Sequence, residues 1–364
     1  MHERTAPLPE VVAVTFYWQV SVKQHAENLR RLEAWRAHAL ELEQEIAKAV
    51  IGQRRAIRLV LISVFARGHV LIEGDVGVGK TTLLRAVSRA LGGGFARLEG
   101  TVDMMPTDIL YHTYLGEDGR PRVEESQLLR LADSLQVFFF NEINRARPQV
   151  HSLLLRLMAE GNATAFDRVY NFPNLLVFAD RNMVEREETF ELPAAARDRF
   201  FMEITMSAPE DAESRRRLIF DPVFQNVDKL IESVSPGAFD YRDINLVASL
   251  IQTQVATSDA LETYVLNLWR GLVDPVGAGV SLPDIELSTF VKGGASPRGL
   301  AALVKAARVR AWLEGRDYVV PDDVRDVFMQ VMAHRIFVDP IYALQGDEPV
   351  KRFCRAVFDA TPVP

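Results

Sequence analysis

Residues 69–82 read HVLIEGDVGVGKTT, a spacing of glycines with one lysine and a following threonine that suits the binding of phosphate. Gly74 to Thr81 fits the pattern G-x-x-x-x-G-K-[ST], with an apolar strand-like run before it and an apolar-periodic helix (Leu83, Leu84, Val87, Leu91) after it. Glycines at such positions let backbone N–H groups turn inward around phosphate oxygens. Gly74, Asp75, Val76, Gly77, Val78, Gly79, Lys80, Thr81 and Thr82 are therefore the candidate nucleotide-binding residues. Lys80 adds a point charge near the β- and γ-phosphates, and the Thr81 hydroxyl can reach Mg²⁺. An ordinary glycine turn would not need this context, so a nucleoside triphosphate is the expected ligand, with ATP and Mg²⁺ as the pair.

A second polar group stands at the end of the apolar run 137–140 (Val-Phe-Phe-Phe), where Asn141 and Glu142 follow. Polar residues at the C-terminal edge of a buried strand sit at the rim where α/β proteins bind ligands. P-loop ATPases carry Asp-Glu there: the Asp holds the metal through its hydration shell, and the Glu orients or deprotonates the attacking water. Here the first residue is an amide. It keeps the size and an acceptor oxygen of the carboxylate but not its charge, so its attraction for Mg²⁺ is weaker. Thr81 and Asn141 are the candidate metal-directed groups, and Glu142 is a candidate catalytic residue. Two outcomes stay open: ATP hydrolysis, or nucleotide binding with weak or no hydrolysis because of Asn141. Restoring the charge with Asn141→Asp is expected to raise turnover or lower the Mg²⁺ requirement.

The elements that must position these groups follow from periodicity. Runs 95–98, 137–140, 175–179 and 201–206 lack the alternation of a half-solvated sheet and read, with the strand before the glycine loop, as buried parallel strands. Helical patterns between them, notably 149–160, give the alternation of a doubly wound α/β domain. Before it, residues 20–50 read as one long charged helix with Leu29, Leu32, Trp35, Ala39 and Leu42 near helical spacing. From about 208 to 334 helical periodicity dominates, predicting a second, all-helical domain. The expected division is an N-terminal helical extension (1–49), a nucleotide-binding core (50–207), a helical lid (208–340) and a C-terminal tail (341–364).

The ordered set of motifs resembles the MoxR family of AAA+ ATPases over about residues 50–336. Asn141-Glu-Ile-Asn-Arg-Ala-Arg-Pro148 with the following 153–161 resembles that family's second nucleotide motif. Val50-Ile-Gly52-Gln53 resembles the entry loop near the adenine. Phe178-Ala-Asp-Arg-Asn182 resembles the polar tip of the strand called sensor 1. The segment 192–200, Leu-Pro-Ala-Ala-Ala-Arg-Asp-Arg-Phe, resembles the one that carries the arginine finger. Gly294-Ala-Ser-Pro-Arg298 with 315–324 and 333–336 resembles the sensor 2 helix and lid.

The resemblance implies a αβα core with the five-stranded AAA+ sheet, a helical lid, and ring assembly, commonly hexameric, with nucleotide at each subunit boundary. It implies that Arg199 reaches the γ-phosphate of a neighbour's ATP, that Asn182 helps place the water, and that Arg298 contacts phosphates from the lid. Gly52 and Gln53 join the nucleotide-binding set on the same ground. It further implies a chaperone acting on a partner protein with a von Willebrand factor A domain or in metalloenzyme maturation, through an insertion at 104–123 and a β-hairpin at 163–173.

Composition sets the outer bounds. The 364 residues are 48% hydrophobic and 25% charged, the balance of a soluble globular chain, and carry a net charge of −7. That acidic balance and the lack of a basic domain argue against a DNA motor. No apolar run approaches a membrane span, and the patch at 11–16 has only a thin basic lead-in and no small-residue cleavage site after it, so a cytoplasmic protein is expected. Cys354, alone, excludes an intramolecular disulfide and a multi-cysteine metal site. His69, His112, His151 and His334 show no metal-ligand spacing.

Overall fold

The computed structural model describes residues 10–181, 190 and 192–364, with side chains from residue 24 onward. The expected helix is longer than its pattern: α1 runs Glu10–Ala49 and stops ahead of Gly52, whose φ of 71° lies in the left-handed region that favours glycine. Leu32, Ala39, Leu42 and Ile46 of α1 are buried in the main core, and the Trp312 indole donates to Leu32 O at 2.9 Å. This extension is thus packed on its own chain.

The core then alternates strand and helix. Helix α2 (Arg54–Phe65) leads to β1 (Val70–Gly74), α3 (Lys80–Leu91) and β2 (Gly94–Glu99). A hairpin of β3 (Tyr111–Leu115) and β4 (Pro121–Glu125) precedes α4 (Gln127–Leu131), β5 (Leu135–Asn141) and α5 (Pro148–Glu160). A second hairpin, β6 (Asn162–Ala165) with β7 (Arg168–Asn171), precedes β8 (Leu176–Arg181), α6 (Ala194–Arg197) and β9 (Met202–Met206).

Five strands form one parallel sheet in the order β2-β5-β8-β1-β9. Each carries one of the apolar runs read from the sequence; the inner strands are covered on both faces, while the edge strand β2 buries only Ala96 and leaves Arg97 and Glu99 exposed, short of the buried strand expected at 95–98. Phe138, Phe139 and Phe140 of β5 are almost wholly buried, each ring contributing roughly 1.5–3 kcal/mol of transfer free energy. Because every strand is parallel, all five C-terminal ends share one edge, where the glycine loop and the Asn141–Glu142 pair emerge together.

The lid is helical: α7 (Ala212–Phe220), α8 (Val227–Glu232), α9 (Ile244–Gln254), α10 (Asp259–Val273), α11 (Leu287–Phe290), α12 (Pro297–Leu313), α13 (Pro321–Met332), α14 (Pro340–Ala343) and α15 (Glu348–Ala360). One short antiparallel pair, β10 (Val291–Gly293) and β11 (Phe337–Val338), interrupts it. These runs of two and three residues are too brief to show a strand period in sequence. Phe353, Cys354 and Val357 of α15 are buried against the lid, so the C-terminal segment is integral to it. Burial pushes the Cys354 thiol up to about 12, which leaves it an inert packing group. Among the described residues no helix is long and apolar enough to cross a membrane.

Candidate nucleotide site at the carboxyl edge of the sheet

The glycine loop is an open cradle. Gly77 and Gly79 sit at φ of 83° and 89°, and a Cβ at either would meet nothing within 4 Å. Backbone conformation, not space, therefore demands glycine there. Gly74 differs: a Cβ on it would lie 2.3 Å from Met206 O, because β1 and β9 pair at that point. Asp75 and Val76 are exposed, Val78 is half-buried, and Lys80, Thr81 and Thr82 open α3. The N–H groups of that first turn have no partner within the helix and point toward the cradle, where anions are favoured.

Lys80 Nζ is held in place from two sides. It donates to Gly74 O at 2.8 Å and pairs with Asp180 Oδ2 at 2.8 Å. Asp180 stands at the end of β8 and is 1% exposed. Its other oxygen, Oδ1, accepts the Glu142 backbone N–H at 2.5 Å. With its amide turned to satisfy both neighbours, Asn141 donates to the same Oδ1 at 3.3 Å and accepts from Arg97 at 3.3 Å. Sequence reading passed over Asp180 as part of a strand tip. The signal is a carboxylate two residues before Asn182, but its adjacency to Asn141 needs the register of β5 against β8.

Glu142 adopts φ 54° and ψ 50°, a left-handed conformation that a non-glycine residue adopts at a cost of about 1–2 kcal/mol. Such backbone strain gathers at functional sites. Asp180 fixes it from the N–H side, and Gly100 fits against it from the other, since a Cβ there would lie 2.4 Å from Glu142 O. The Glu142 side chain pairs with Arg145 Nε at 3.0 Å. Thr81, Asn141, Asp180 and Glu142 together offer hard oxygen donors, the chemistry that suits Mg²⁺.

The remaining candidates that the structure describes lie on other elements. The buried Gln53 side chain donates to Ser207 O at 2.6 Å, and a Cβ on Gly52 would strike Pro209 at 2.6 Å, so the entry loop packs where core passes into lid. Arg199 is exposed, just after α6. Arg298 is mostly exposed at the start of α12 and pairs with Asp198 Oδ2 at 3.1 Å. A cation there opposes the helix dipole, and the anion beside it is Asp198. Asn182 lies outside the described residues.

At the last residue of β8, Arg181 Nη2 lies 3.2 Å from Glu73, 3.3 Å from Glu203 and 3.6 Å from Asp347. Burial, then the neighbouring Glu203, pushes the Glu73 carboxyl up to about 7. The buried histidines are structural. His69 accepts from Val177 N–H at 3.0 Å through Nδ1 and donates to Met158 O at 3.1 Å through Nε2. His151 and His334 engage Ile143 O and Phe200 O.

This geometry has clear relatives. Residues 69–202 match the family model described as ATPase family associated with various cellular activities (AAA), and residues 287–352 match the AAA lid domain. Protein MoxR of Methylorubrum extorquens is 63% identical over 333 residues, 92% of this chain and 97% of that one. The chain belongs to the MoxR family of AAA+ ATPases. Protein MoxR of Paracoccus denitrificans is 53% identical over 91% of this chain and 97% of its own. Chaperone MoxR1 of Mycobacterium tuberculosis is 31% identical over 80% and 74%. A solved structure from Cytophaga hutchinsonii superposes with a TM-score of 0.78 at 26% identity, covering 94% of this chain and 99% of that one. The five-stranded sheet and helical lid are those of this MoxR-type fold. The lid match runs to residue 352, into α15.

Proposed function

We propose that this MoxR-type chain is an ATP hydrolase that assembles as a ring, hexameric by family resemblance, and spends the hydrolysis energy on the assembly or activation of a partner protein. One observation carries the reading: an open glycine cradle, Lys80 and a strained Glu142 converge at one edge of the sheet. In this reading amides of residues 74–82 hold the phosphates, and Lys80 turns to the β- and γ-oxygens. Glu142 takes the proton of a water whose oxygen attacks the γ-phosphorus as the bond to the β-phosphate oxygen breaks, and ADP leaves. Arg199 of a neighbouring subunit and Arg298 of the lid meet the charge that develops, Asn182 helps to place the water, and Gly52 and Gln53 lie near the adenine. Mg²⁺, when bound near Thr81 and Asn141, neutralises phosphate charge.

The name Chaperone MoxR1 of the Mycobacterium tuberculosis relative supports the chaperone reading. The two hairpins suit client contact. They touch each other through Tyr111 and Phe166, ring centroids 5.0 Å apart, and through the Tyr170 hydroxyl, which donates to Glu125 at 2.6 Å. Together they leave Tyr114, Leu115, Val123, Phe166 and Val169 exposed. A partner with a von Willebrand factor A domain, a cytoplasmic location and a division into N-terminal helical extension, nucleotide-binding core and helical lid, with 341–364 joined to the lid, belong to the same proposal. Phosphate release from parent and Glu142→Gln protein tests it. Turnover that Glu142→Gln abolishes supports the hydrolase; nucleotide binding without turnover in the parent favours the scaffold that Asn141 suggests.

A further inference from the structure

We propose that Asp180 is the carboxylate this site directs at the metal of a bound Mg²⁺–nucleotide, so that the charge missing at Asn141 is supplied from the next strand. This rests on the reading of the glycine loop as a Mg²⁺–nucleotide site.

The strand register carries the argument first. Phe140 of β5 is paired with Ala179 of β8. The next residue on each strand, Asn141 and Asp180, therefore leaves the sheet side by side at the rim. Their side chains meet at 3.3 Å. Carboxylates at both positions would repel within hydrogen-bond distance in a buried place, and one would have to take up a proton. An amide beside a carboxylate removes the conflict, since Asn141 donates where an aspartate could only accept. The pair thus carries one negative charge, held by β8 rather than β5.

The surroundings of Asp180 suit that charge. Burying a lone carboxylate is costly, and this one is met by the Lys80 ammonium and by two N–H donors. It touches the two residues around which the chemistry is arranged, Lys80 through Oδ2 and the Glu142 backbone through Oδ1. Lys80 cannot serve Asp180 and a γ-phosphate equally. When phosphate draws the ammonium, Oδ2 is left buried without its cation and becomes a ready acceptor for the water shell of a divalent ion. Asp180 thereby stores Lys80 in the nucleotide-free protein and answers the metal in the loaded one. Asn141 becomes a donor that steadies Asp180 and not the principal metal-directed group.

The test is the affinity for a slowly hydrolysed ATP analogue, measured by calorimetry with Mg²⁺ and again with excess EDTA, in parent, Asp180→Asn, Asn141→Asp and Asn141→Asp/Asp180→Asn proteins. The readout is the ratio of the two affinities. Loss of an outer-shell partner of a metal is worth about 10–100-fold in metal affinity, so Asp180→Asn should lower the ratio at least about tenfold. The exchanged double variant, with the carboxylate back on β5, should recover most of it. Asn141→Asp alone should not raise the ratio, because its new carboxylate faces Asp180. An unchanged ratio in Asp180→Asn overturns the assignment. So does an equal loss of affinity with and without Mg²⁺, which would make Asp180 only a holder of Lys80. If Asp180→Asn does not fold, the double variant decides: folded and Mg²⁺-responsive supports the assignment, folded and unresponsive overturns it. A folded parent that binds no nucleotide overturns the underlying reading as well.

Discussion

Asp198 and Arg298 are 100 residues apart in sequence, and a 3.1 Å ion pair joins them, tying the lid to the residue immediately before Arg199. The same carboxylate accepts from Ser296 Oγ at 3.1 Å and from the buried Arg335 Nε at 3.1 Å. Arg335 also donates to Phe200 O at 2.6 Å, sewing the lid onto the approach to β9. Asp198 thus fastens the lid to the segment that carries Arg199.

The members of this cluster should respond very differently to truncation. Asp198→Ala leaves Arg335 buried without its carboxylate and should cost about 3–5 kcal/mol of stability. Arg298→Ala removes only an exposed partner and should cost less than about 1 kcal/mol. Its larger effect should be weaker nucleotide affinity. Denaturant unfolding and nucleotide titration of the two variants check both halves, and equal stability losses would contradict the buried-hub account.

Lys80→Ala should abolish nucleotide binding, but it should not be silent in the empty protein. It strands the Asp180 carboxylate, 1% exposed, at an expected cost of about 1–3 kcal/mol. Lys80→Ala/Asp180→Asn should recover that stability without recovering binding. Recovery of both, or of neither, would show that the 2.8 Å pair is not what couples the loop to the sheet.

Two buried groups give the protein opposed pH dependences. Burial holds the His69 imidazole down at about 4, against 6.5 ordinarily, with Arg67 and Lys305 adding repulsion. Between those values the unfolded chain binds a proton that the fold refuses, so this contribution to stability is lost as pH falls from 6.5 to 4. Glu73, at about 7 against 4.5, behaves in reverse: the fold holds a proton the unfolded chain has released, and stability is lost as pH rises from 4.5 to 7. Arg181 and Lys351 oppose that shift, and Glu203 and Asp347 reinforce it. The two groups offset each other where the windows overlap. Glu73→Gln should make stability climb more steeply with pH there than in the parent, and His69→Asn should make it climb less steeply or fall. Urea midpoints across the overlap measure both slopes, and identical slopes in all three proteins would refute the assignment.

The strands were legible because each is a short apolar run, fully buried in β1 and nearly so in β5 and β8 but only partly in the edge strand β2, and the glycine loop because its chemistry is local in sequence. The pairing of Asn141 with Asp180 was not, since no pattern within either strand reports the register between them. Arg335 illustrates the same limit: its partners at 198–201 lie far away in the chain, and a lone arginine near a helix end reads as a solvated cation. Within either strand Asn141 reads as a missing charge, and the gain expected from Asn141→Asp and the unchanged metal response proposed from its contact with Asp180 are separated by the titration described above.

Arg199 sets apart a shared active site from a self-contained one. It is exposed just beyond α6, on the segment that Asp198 fastens to the lid, and so can face another subunit. A finger supplied in trans is worth about 10³–10⁵ in rate where it operates. Arg199→Ala should therefore retain nucleotide affinity and lose turnover by that order. Specific activity of the parent should rise with protein concentration as subunits associate. Mixing Arg199→Ala with Glu142→Gln should restore part of the activity, because some interfaces in a mixed assembly then combine an intact Glu142 with an intact Arg199. Steady-state turnover across a dilution series, read beside sedimentation of the same samples, measures all three. Monomers that hydrolyse ATP as fast per chain as the assembly would place the charge-neutralising group within one subunit, and mixtures that remain as inactive as their components would exclude Arg199 from the neighbour's site.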